Sequence, residues 1–554
     1  MDHQKLANLL FPHIKKSPED YEATYPQREL PEGAMVTRLG PSPTGFIHLG
    51  NLYGALADER LAHRSGGVCF LRIEDTDEKR EVEGAIPALL NALHYFGIDF
   101  DEGASFSGEI GAYGPYYQSH RAEIYQCFVK HLISLGKAYP CFMSEEEIEE
   151  IRSLQERDKL NPGVYGPYAR HRDLGFEEVV ERLGAGEEFV VRFRSEGDPE
   201  KYFTIIDGIR GEISMPENVQ DVVILKKSGL PTYHFAHVVD DHLMRTTHVV
   251  RGEEWISSLP IHVQLFDALQ WPYPTFCHNT VLMKIDEETG QKRKLSKRKD
   301  PELSLEYYQK EGYFPEAVRE YLMTILNSDY EEWRLADPDA PLEAFDFTTG
   351  KMSNSGTLFD LDKLNNVSKD VLARKTAEEI LTFMLQWAEA WQPALAALMA
   401  GSSEKLIKIF DIDRGGPKPR KDLVNGRQIF EFISYFFDEH FMIRDDFPAE
   451  CGPKDIKEIL RRYLATYDPA DDNETWFEKI RQITGDLGYA VKPKDHKKEP
   501  DKYKGHVGHV SNVIRIAITG RSSSPDLWTI QQIMGAETVR RRIAEAHEIG
   551  RAHV

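Results

Sequence analysis

Long apolar runs, paired cysteines and a surplus of positive charge are all missing from this 554-residue chain. No stretch approaches the roughly 18–20 uninterrupted apolar residues of a membrane helix. The start, Met1-Asp2-His3-Gln4-Lys5, lacks the basic lead, apolar core and small-residue cleavage site of a secretory signal. Those absences predict a cytoplasmic protein. The five cysteines, Cys69, Cys127, Cys141, Cys277 and Cys451, form no CxxC pair, so neither a zinc knuckle nor a redox motif is supported. A scattered, odd set fits buried, reduced thiols. No internal repeat of solenoid period is present. Acidic residues outnumber basic ones by 91 to 68, a net charge of −23. The overall field therefore repels nucleic acid, and an RNA or DNA partner must dock on a locally basic surface.

What is present is ordinary for a globular protein. A composition 41% hydrophobic and 29% charged excludes a fibrous or wholly disordered chain. At roughly 100–200 residues per domain the length predicts about three to five domains. Residues 1–32 read as an added N-terminal arm with a short helix near Lys5–Leu10. From Ala34 the pattern becomes strand, loop, helix. Ala34–Leu39 is a short apolar strand, and Gly40-Pro41-Ser42-Pro43-Thr44-Gly45 cannot continue it, because proline lacks the ladder donor. Leu49, Leu52 and Leu56 recur at helical spacing up to Gly66-Gly67. Val68–Ile73 is a second strand. Ile86, Leu89, Leu90 and Leu93 mark a second helix ending at Gly97. Strand–helix–strand–helix at this spacing predicts a parallel sheet with crossover helices. Residues 119–229 read as an α+β insertion. Val222–Leu225, Ser228-Gly229 and Thr232–Ala236 read as a hairpin. From about Glu302 the apolar spacing is mostly helical, clearest in Ile380–Met399, Ile429–Phe437, Ile456–Leu464 and Trp528–Ala546. Arg414–Lys421 and Lys492–Lys504 are Pro-bearing, basic connectors.

Two segments carry chemistry. In Thr37–Asn51, a strand enters a tight proline loop and His48-Leu49-Gly50 opens a helix. A helix N-terminus offers unpaired N–H groups and partial positive charge to a phosphate. Gly50 allows close backbone approach, and His48 can donate to a phosphate oxygen. In Lys292–Lys299, six of eight residues are cationic. Ammonium groups on flexible stems suit a triphosphate whose charge shifts during reaction. His234, His237, Asp240, Asp241 and His242 also invite a metal reading by spacing.

The longer strings narrow the choice. TRLGPSPTGFIHLGN (Thr37–Asn51) followed by KLSKR (Lys294–Arg298) resembles the two signatures of class I aminoacyl-tRNA synthetases. LRIEDTDEKR (Leu71–Arg80), PTYHFAHVVDDHLM (Pro231–Met244) and THVVRGEEW (Thr247–Trp255) resemble the bacterial glutamyl-tRNA synthetase family, in order. The likeness is close over Ala34–Arg298. It is looser through FDLDKLNNVS (Phe359–Ser368), IRIAITG (Ile514–Gly520) and IMGAETVRRRI (Ile533–Ile543).

The resemblance implies an α/β Rossmann-like catalytic domain with an α+β insertion, followed by mostly α-helical C-terminal domains. Its implied boundaries are an arm at 1–32, a catalytic domain at 33–118 and 230–298, and an insertion contacting the acceptor stem at 119–229. A stem-contact domain follows at 299–375 and an anticodon-binding domain at 376–554. It implies ligation of L-glutamate to the 3′ end of tRNA(Glu) through glutamyl-adenylate, with ATP and Mg2+. Activation in the family typically needs bound tRNA, and a monomer is expected. Whether tRNA(Gln) is also charged is left open. Arg38, Ser42, Glu74, Tyr233, His237 and Arg251 would hold glutamate. His48, Gly50, Glu254, Leu282 and Lys297 would hold ATP, and His48, Gly50, Lys294, Ser296 and Lys297 would be the catalytic residues. No metal ligands are expected among them. Basic residues for tRNA include Lys405, Lys408, Lys418, Arg420, Lys421, Arg427 and those of Lys492–Lys504. Trp476, Tyr489 and Tyr503 are candidates for base stacking or for core.

Three departures stand out. Asn51 replaces the histidine often ending the His-x-Gly motif. His237 stands where relatives often have asparagine. Cys141 lies alone where zinc-bearing relatives cluster cysteines, so no structural zinc is expected. Glutaminyl-tRNA synthetase is the nearest rival, opposed by PSPTG, KLSKR and Arg251. A small-molecule nucleotidyltransferase would not need the long helical C-terminus. A non-catalytic tRNA-binding homologue is opposed by intact His48, Lys294 and Lys297.

Overall fold

A computed structural model describes residues 2–43, 45, 47–77, 82–354, 356–414, 416 and 419–549. Thr44 and Phe46 of the proline loop, residues 78–80 of the LRIEDTDEKR string, and Lys418 lie outside the described residues. The chain divides into two compact units. One is Met1–Tyr307 with Val318–Leu361, and the other is Tyr308–Ala317 with Asp362–Val554.

The first unit begins with helices α1 (His3–Leu10) and α2 (Pro18–Thr24), strand β1 (Val36–Leu39), helix α3 (Leu49–Arg64), strand β2 (Val68–Leu71), helix α4 (Ala85–Tyr95) and strands β3 (Glu102–Ser105) and β4 (Gly108–Ile110). β1, β2 and β3 pair in parallel, and β4 adds an antiparallel edge. Crossover helices explain the parallel order, since a parallel return needs a dozen or more residues. The return from α3 to β2 is tight. Gly66 adopts φ +70°, and a Cβ on Gly67 would lie 1.9 Å from the Met35 carbonyl oxygen, so that position accepts only glycine.

The insertion holds α5 (Ala122–Ser134), β5 (Ala138–Cys141), α6 (Glu145–Arg157), α7 (Phe176–Gly184), β6 (Val190–Phe193), the hairpin β7 (Tyr202–Asp207) and β8 (Gly211–Pro216), and β9 (Val223–Leu225). β5, β6 and β9 form an antiparallel sheet. The chain then returns as α8 (Tyr233–Leu243), β10 (His248–Gly252), α9 (Leu259–Ala268) and β11 (Thr275–Asn279). β10 and β11 are parallel. Thr247, just before β10, donates its N–H to the Val36 carbonyl at 3.0 Å. The spatial order is therefore β4-β3-β2-β1-β10-β11, and winding reverses between β1 and β10. In open α/β sheets the crevice beyond the carboxyl ends of the strands at such a reversal is where ligands bind. A last small sheet carries β12 (Leu282–Ile285), β13 (Lys292–Lys294) and β14 (Thr357–Leu358).

One expectation needs correction. Thr232–Ala236 is not the returning strand of a hairpin. Only Leu225 and Pro231 bridge, and Thr232, in extended conformation, caps α8. The apolar residues Phe235, Val238 and Val239 follow helical spacing and are buried, so period 3.6 prevails over the β-branched local composition. The N-terminal arm packs into the core of the first unit. Leu6, Ala7, Leu10, Phe11, Ile14, Tyr21 and Tyr25 belong to the same core as Phe128, Phe235 and Phe266. Arg28 clamps Glu102 through two bonds of 2.8 and 2.9 Å.

The second unit is helical around one core. Ile380, Met384, Leu406, Phe410, Ile429, Ile459, Leu460, Ile480, Val510 and Ile514 are all buried in it. The apolar run 380–399 is two helices, Ala377–Trp391 and Pro393–Ala400. Proline is tolerated only in the first turn of a helix, which explains the break. The run 528–546 is likewise two helices, parted at Gly535 with φ +86°. Trp476 and Tyr489 are core residues. The Trp476 indole donates to the Tyr463 hydroxyl at 2.8 Å, and Tyr489 is 1% exposed.

Candidate functional site

The loop after β1, the start of α3, the end of β2, the start of α8, the end of β10 and the β12–β13 hairpin converge on one cleft of about 830 Å³. Arg38, Ser42, His48, Gly50, Glu74, Tyr233, Arg251, Glu254, Leu282, Lys294, Ser296 and Lys297 all line it. These residues span some 260 positions of sequence, yet the sheet reversal brings them to one place. His237 does not line the cleft. It is fully buried directly behind it, stacked on Tyr233 at 5.8 Å between ring centroids. Its Nδ1 lies 2.7 Å from Asp241 Oδ2. It stands in the layer that supports the cleft.

Consider first the phosphate end. His48 is the extended cap of α3, and the Asn51 carboxamide accepts the His48 N–H at 3.0 Å. Asn51 therefore closes the helix start, a capping use of the residue that departs from the usual motif. Burial and the nearby Lys297 and Lys294 hold the His48 imidazole below its ordinary pKa. It is a neutral donor at neutral pH, suited to a phosphate oxygen.

The basic segment is less uniformly cationic than its composition suggests. Arg293 binds Asp300 through bonds of 2.6 and 2.8 Å and Asp286 at 2.8 Å. Asp286 also accepts from the Thr289 backbone and hydroxyl, pinning the β12–β13 turn. Ser296 donates its N–H to Asp300 at 2.8 Å. Arg293 thus builds the loop. Lys294 and Lys297 reach the cleft, Lys294 within 3.7 Å of Glu254. Leu282 contributes its carbonyl to the Leu295 N–H at 3.1 Å, tying the hairpin to the loop.

The opposite end of the cleft is built on buried arginines. Arg38 donates Nε–H to Asp241 at 3.2 Å, and Arg72 donates to Asp241 at 2.7 Å and to Glu74 at 2.9 Å. Asp240, beside them on α8, accepts from Arg121, Gln118 and Tyr125 at 2.7–2.8 Å. The two arginines beside it hold Asp241 well below the usual carboxylate range despite its burial. Burial pushes the Glu74 carboxyl upward, against the pull of Arg72 and Arg38. The aspartates that suggested metal ligands are thus engaged by arginines. Among the described residues no group of three or more His, Cys, Asp or Glu side chains is arranged to hold a metal ion.

Arg251 is different. It is 8% exposed, and its guanidinium meets two imidazoles. Nε–H donates to His278 Nε2 at 3.0 Å, and Nη1 lies 3.1 Å from His262 Nδ1. No carboxylate bonds to it among the described residues, and burial depresses its pKa. Tyr233 and Trp255 wall the space beside it, their rings 4.4 Å apart. A buried cation held only by neutral partners is costly, and it favours an anionic ligand as its complement.

Reasoning from sequence missed Arg72, Asp207, His262 and His278. Arg72 lies within a motif string but has no motif role. The other three belong to no motif: His278 joins the site through the pairing of β10 with β11, His262 from α9 and Asp207 from the end of β7. All five cysteines are buried and unpaired, and no helix of the described residues is long and apolar enough to cross a membrane.

The profile of tRNA synthetases class I (E and Q), catalytic domain, matches residues 34–366. An anticodon binding domain profile matches residues 501–547. The chain is 61% identical to a glutamate–tRNA ligase of Acetivibrio thermocellus, covering 98% of this chain and 99% of that one. It is 50% identical to the glutamate–tRNA ligase of Clostridium perfringens strain 13, covering 98% and 100%. The crystal structure of a glutamate-tRNA synthetase from Elizabethkingia anophelis is similar at TM-score 0.72 and 27% identity, covering 93% of this chain and 100% of that one. A second, from Elizabethkingia meningosepticum and solved in complex with its amino acid, gives TM-score 0.71 at 26% identity, covering 93% and 99%.

Proposed function

This chain belongs to the class I (E and Q) tRNA synthetase family, and we propose that within it the chain is a glutamate–tRNA ligase. It activates L-glutamate with MgATP and transfers the glutamyl group to the 3′ end of tRNA(Glu). The observation that carries the amino-acid choice is Arg251, a buried guanidinium with two neutral imidazole partners and no carboxylate. A fixed planar fork of N–H donors matches a carboxylate and not an amide, whose NH2 would face those donors. That argues for glutamate over glutamine.

The chemistry follows from positioning. Glu74 and Arg38 are assigned to the α-ammonium and α-carboxylate, with Ser42 and Tyr233 completing the pocket. The α-carboxylate attacks the α-phosphate, expelling diphosphate and forming glutamyl-adenylate. A ribose hydroxyl of the tRNA terminus then attacks the activated carbonyl and expels AMP. Both nucleophiles belong to substrates, so the protein supplies orientation and charge. His48, the amides beside Gly50, Lys294 and Lys297 face the phosphates, where charge builds as diphosphate leaves. Glu254 and the backbone at Leu282 take the nucleoside.

For tRNA, the insertion is assigned to the acceptor end, residues 299–375 to the stem, and residues 376–554 to the anticodon. Lys492, Lys494, Lys497 and Lys498 are exposed and suit phosphate contacts. By contrast, Arg420 pairs with Asp422, Lys421 with Asp370 and Arg427 with Glu311. The reading includes a cytoplasmic monomer without structural zinc.

The test is charging of purified tRNA(Glu) and tRNA(Gln), separately, with labelled glutamate, MgATP and the full chain. Glutamylation of tRNA(Glu) is expected. Label on tRNA(Gln) as well would make the enzyme non-discriminating. Label on neither, with active tRNA in a control, would sink the proposal.

A further inference from the structure

The partners of Arg251 form a longer chain, and its hydrogens can be assigned. Arginine only donates. His278 Nε2, 3.0 Å from Arg251 Nε, must therefore be the acceptor nitrogen, and its proton sits on Nδ1. That nitrogen is 2.6 Å from Asp207 Oδ2. His262 Nδ1, 3.1 Å from Arg251 Nη1, must accept likewise, so His262 donates from Nε2 to His234 Nδ1 at 3.0 Å. His278 and His262 are fully buried and Asp207 nearly so. Burial holds both imidazoles below their ordinary pKa, against the pull of Asp207 on His278.

The placement follows from the fold. Arg251 and His278 are register partners across β10 and β11, so their side chains share one face of the sheet. His262 comes from α9 and Asp207 from the end of β7 in the insertion. Asp207 is itself fixed, since its Oδ1 accepts the N–H groups of Ile209 and Arg210 at 2.9 and 3.0 Å.

We propose that Asp207, His278 and His262 are positioning residues that fix the plane of the Arg251 guanidinium while leaving its charge uncompensated, and so set selectivity for a side-chain carboxylate over an amide. This rests on the glutamate reading of the cleft. A carboxylate bonded directly to Arg251 would neutralise the charge that attracts the substrate. A neutral imidazole accepts the N–H and leaves the charge intact. Asp207 acts one step back by holding His278 in the tautomer that accepts.

Asp207→Asn tests this by tautomer. The asparagine carbonyl takes the Oδ1 position, where the backbone N–H groups of Ile209, Arg210 and, at 3.3 Å, His278 require an acceptor. Its NH2 then faces His278 Nδ1, which must accept, moving the ring proton to Nε2. That N–H confronts Arg251 Nε–H. The same logic of a wrong tautomer behind intact geometry applies to a carboxylate behind a catalytic histidine. Steady-state aminoacylation by the full chain is measured for glutamate, glutamine and ATP. Expected in D207N is a rise of about tenfold or more in glutamate KM, the loss of one hydrogen bond to a charged group. ATP KM should stay within about twofold, and discrimination against glutamine should fall. In a His278→Gln background, where the side chain has no tautomer, D207N should add no more than about twofold.

Wild-type glutamate KM in D207N overturns the proposal. So does an equal penalty from D207N in both backgrounds, which would mark a structural role for Asp207. Arg251→Ala separates the two layers. Unchanged glutamate KM in R251A overturns the cleft reading and the proposal with it. Raised KM in R251A beside a wild-type D207N overturns the positioning frame alone. If D207N is not recovered folded, His278→Phe against His278→Gln decides. Phenylalanine should raise glutamate KM about tenfold while glutamine, keeping an acceptor, stays within about threefold. Equal values in the two would overturn it.

Discussion

Two groups of buried arginines stand in the same unit and are surrounded in opposite ways. Arg38, Arg72 and Arg121 are met by Asp240, Asp241 and Glu74. Arg251 is met by His262 and His278. The first group is a closed lattice, because each charge has its counter-charge inside the protein. The second is an open one, because the counter-charge must arrive with a ligand. The lattice fixes the strand ends and α8, and the open site spends the rigidity it inherits on recognition. Burial alone does not mark a functional arginine. The chemistry of its partners decides whether the ligand must bring the counter-charge.

The largest way to break this contrast is on the closed side. Asp241→Asn removes the carboxylate shared by Arg38 and Arg72, stranding buried Arg38 and leaving Arg72 to Glu74. Breaking a buried pair in this way costs roughly 3–5 kcal/mol. A clear drop in Tm by calorimetry is expected, with loss of charging for every substrate. An unchanged Tm would show that the lattice is not closed by Asp241. On the open side, Arg251→Ala should do the reverse. It removes a buried charge with no internal counter-charge, so Tm should hold or rise. Glutamate kcat/KM should fall by about a hundredfold or more, as expected when a desolvated charge pair with a ligand is lost. A fall in Tm matching that of D241N would erase the distinction.

The sequence was most legible where function is local. The proline loop, His48-Leu49-Gly50 and the KLSKR run each place their chemistry within a few residues, and β1, α3, β2 and α4 followed from apolar spacing alone. What was lost is non-local. His278 lies 27 residues from Arg251 and faces it only because β10 and β11 pair in that register, which no spacing reveals. Asp207 reaches the same site from the end of β7 in the insertion, which was read only as α+β. α8 was misread because Pro231-Thr232 imitates a turn into a strand, although Tyr233, His237 and Asp241 repeat every four residues, as a helix requires. The N-terminal helix was read correctly as a helix but not as core, though Leu6, Leu10 and Phe11 already made an apolar face.

The smallest effect sharpens the contrast through pH. The open site depends on imidazoles kept neutral by burial: His262 and His278 are lowered, and His234, bonded to His262, falls to about 4. In the unfolded chain histidine titrates near about 6.5. Below that value the unfolded state binds protons that the folded state refuses, so stability is lost as pH falls through about 6.5 and is untouched above it. One such imidazole contributes on the order of 1 kcal/mol between pH 7 and 5.5. Asp241 has a depressed pKa and works the other way in range: its contribution is retained until pH drops below the ordinary aspartate value of about 3.9. Tm followed from pH 7.5 to 5.5 should therefore decline through histidine and not through the arginine lattice. His262→Gln, which keeps neutral hydrogen-bonding atoms and cannot titrate, should flatten the decline by about one histidine's share. If the variant declines as steeply as the parent, His262 is not held neutral by the fold, and the view of Arg251 as a cation framed by uncharged partners loses its basis.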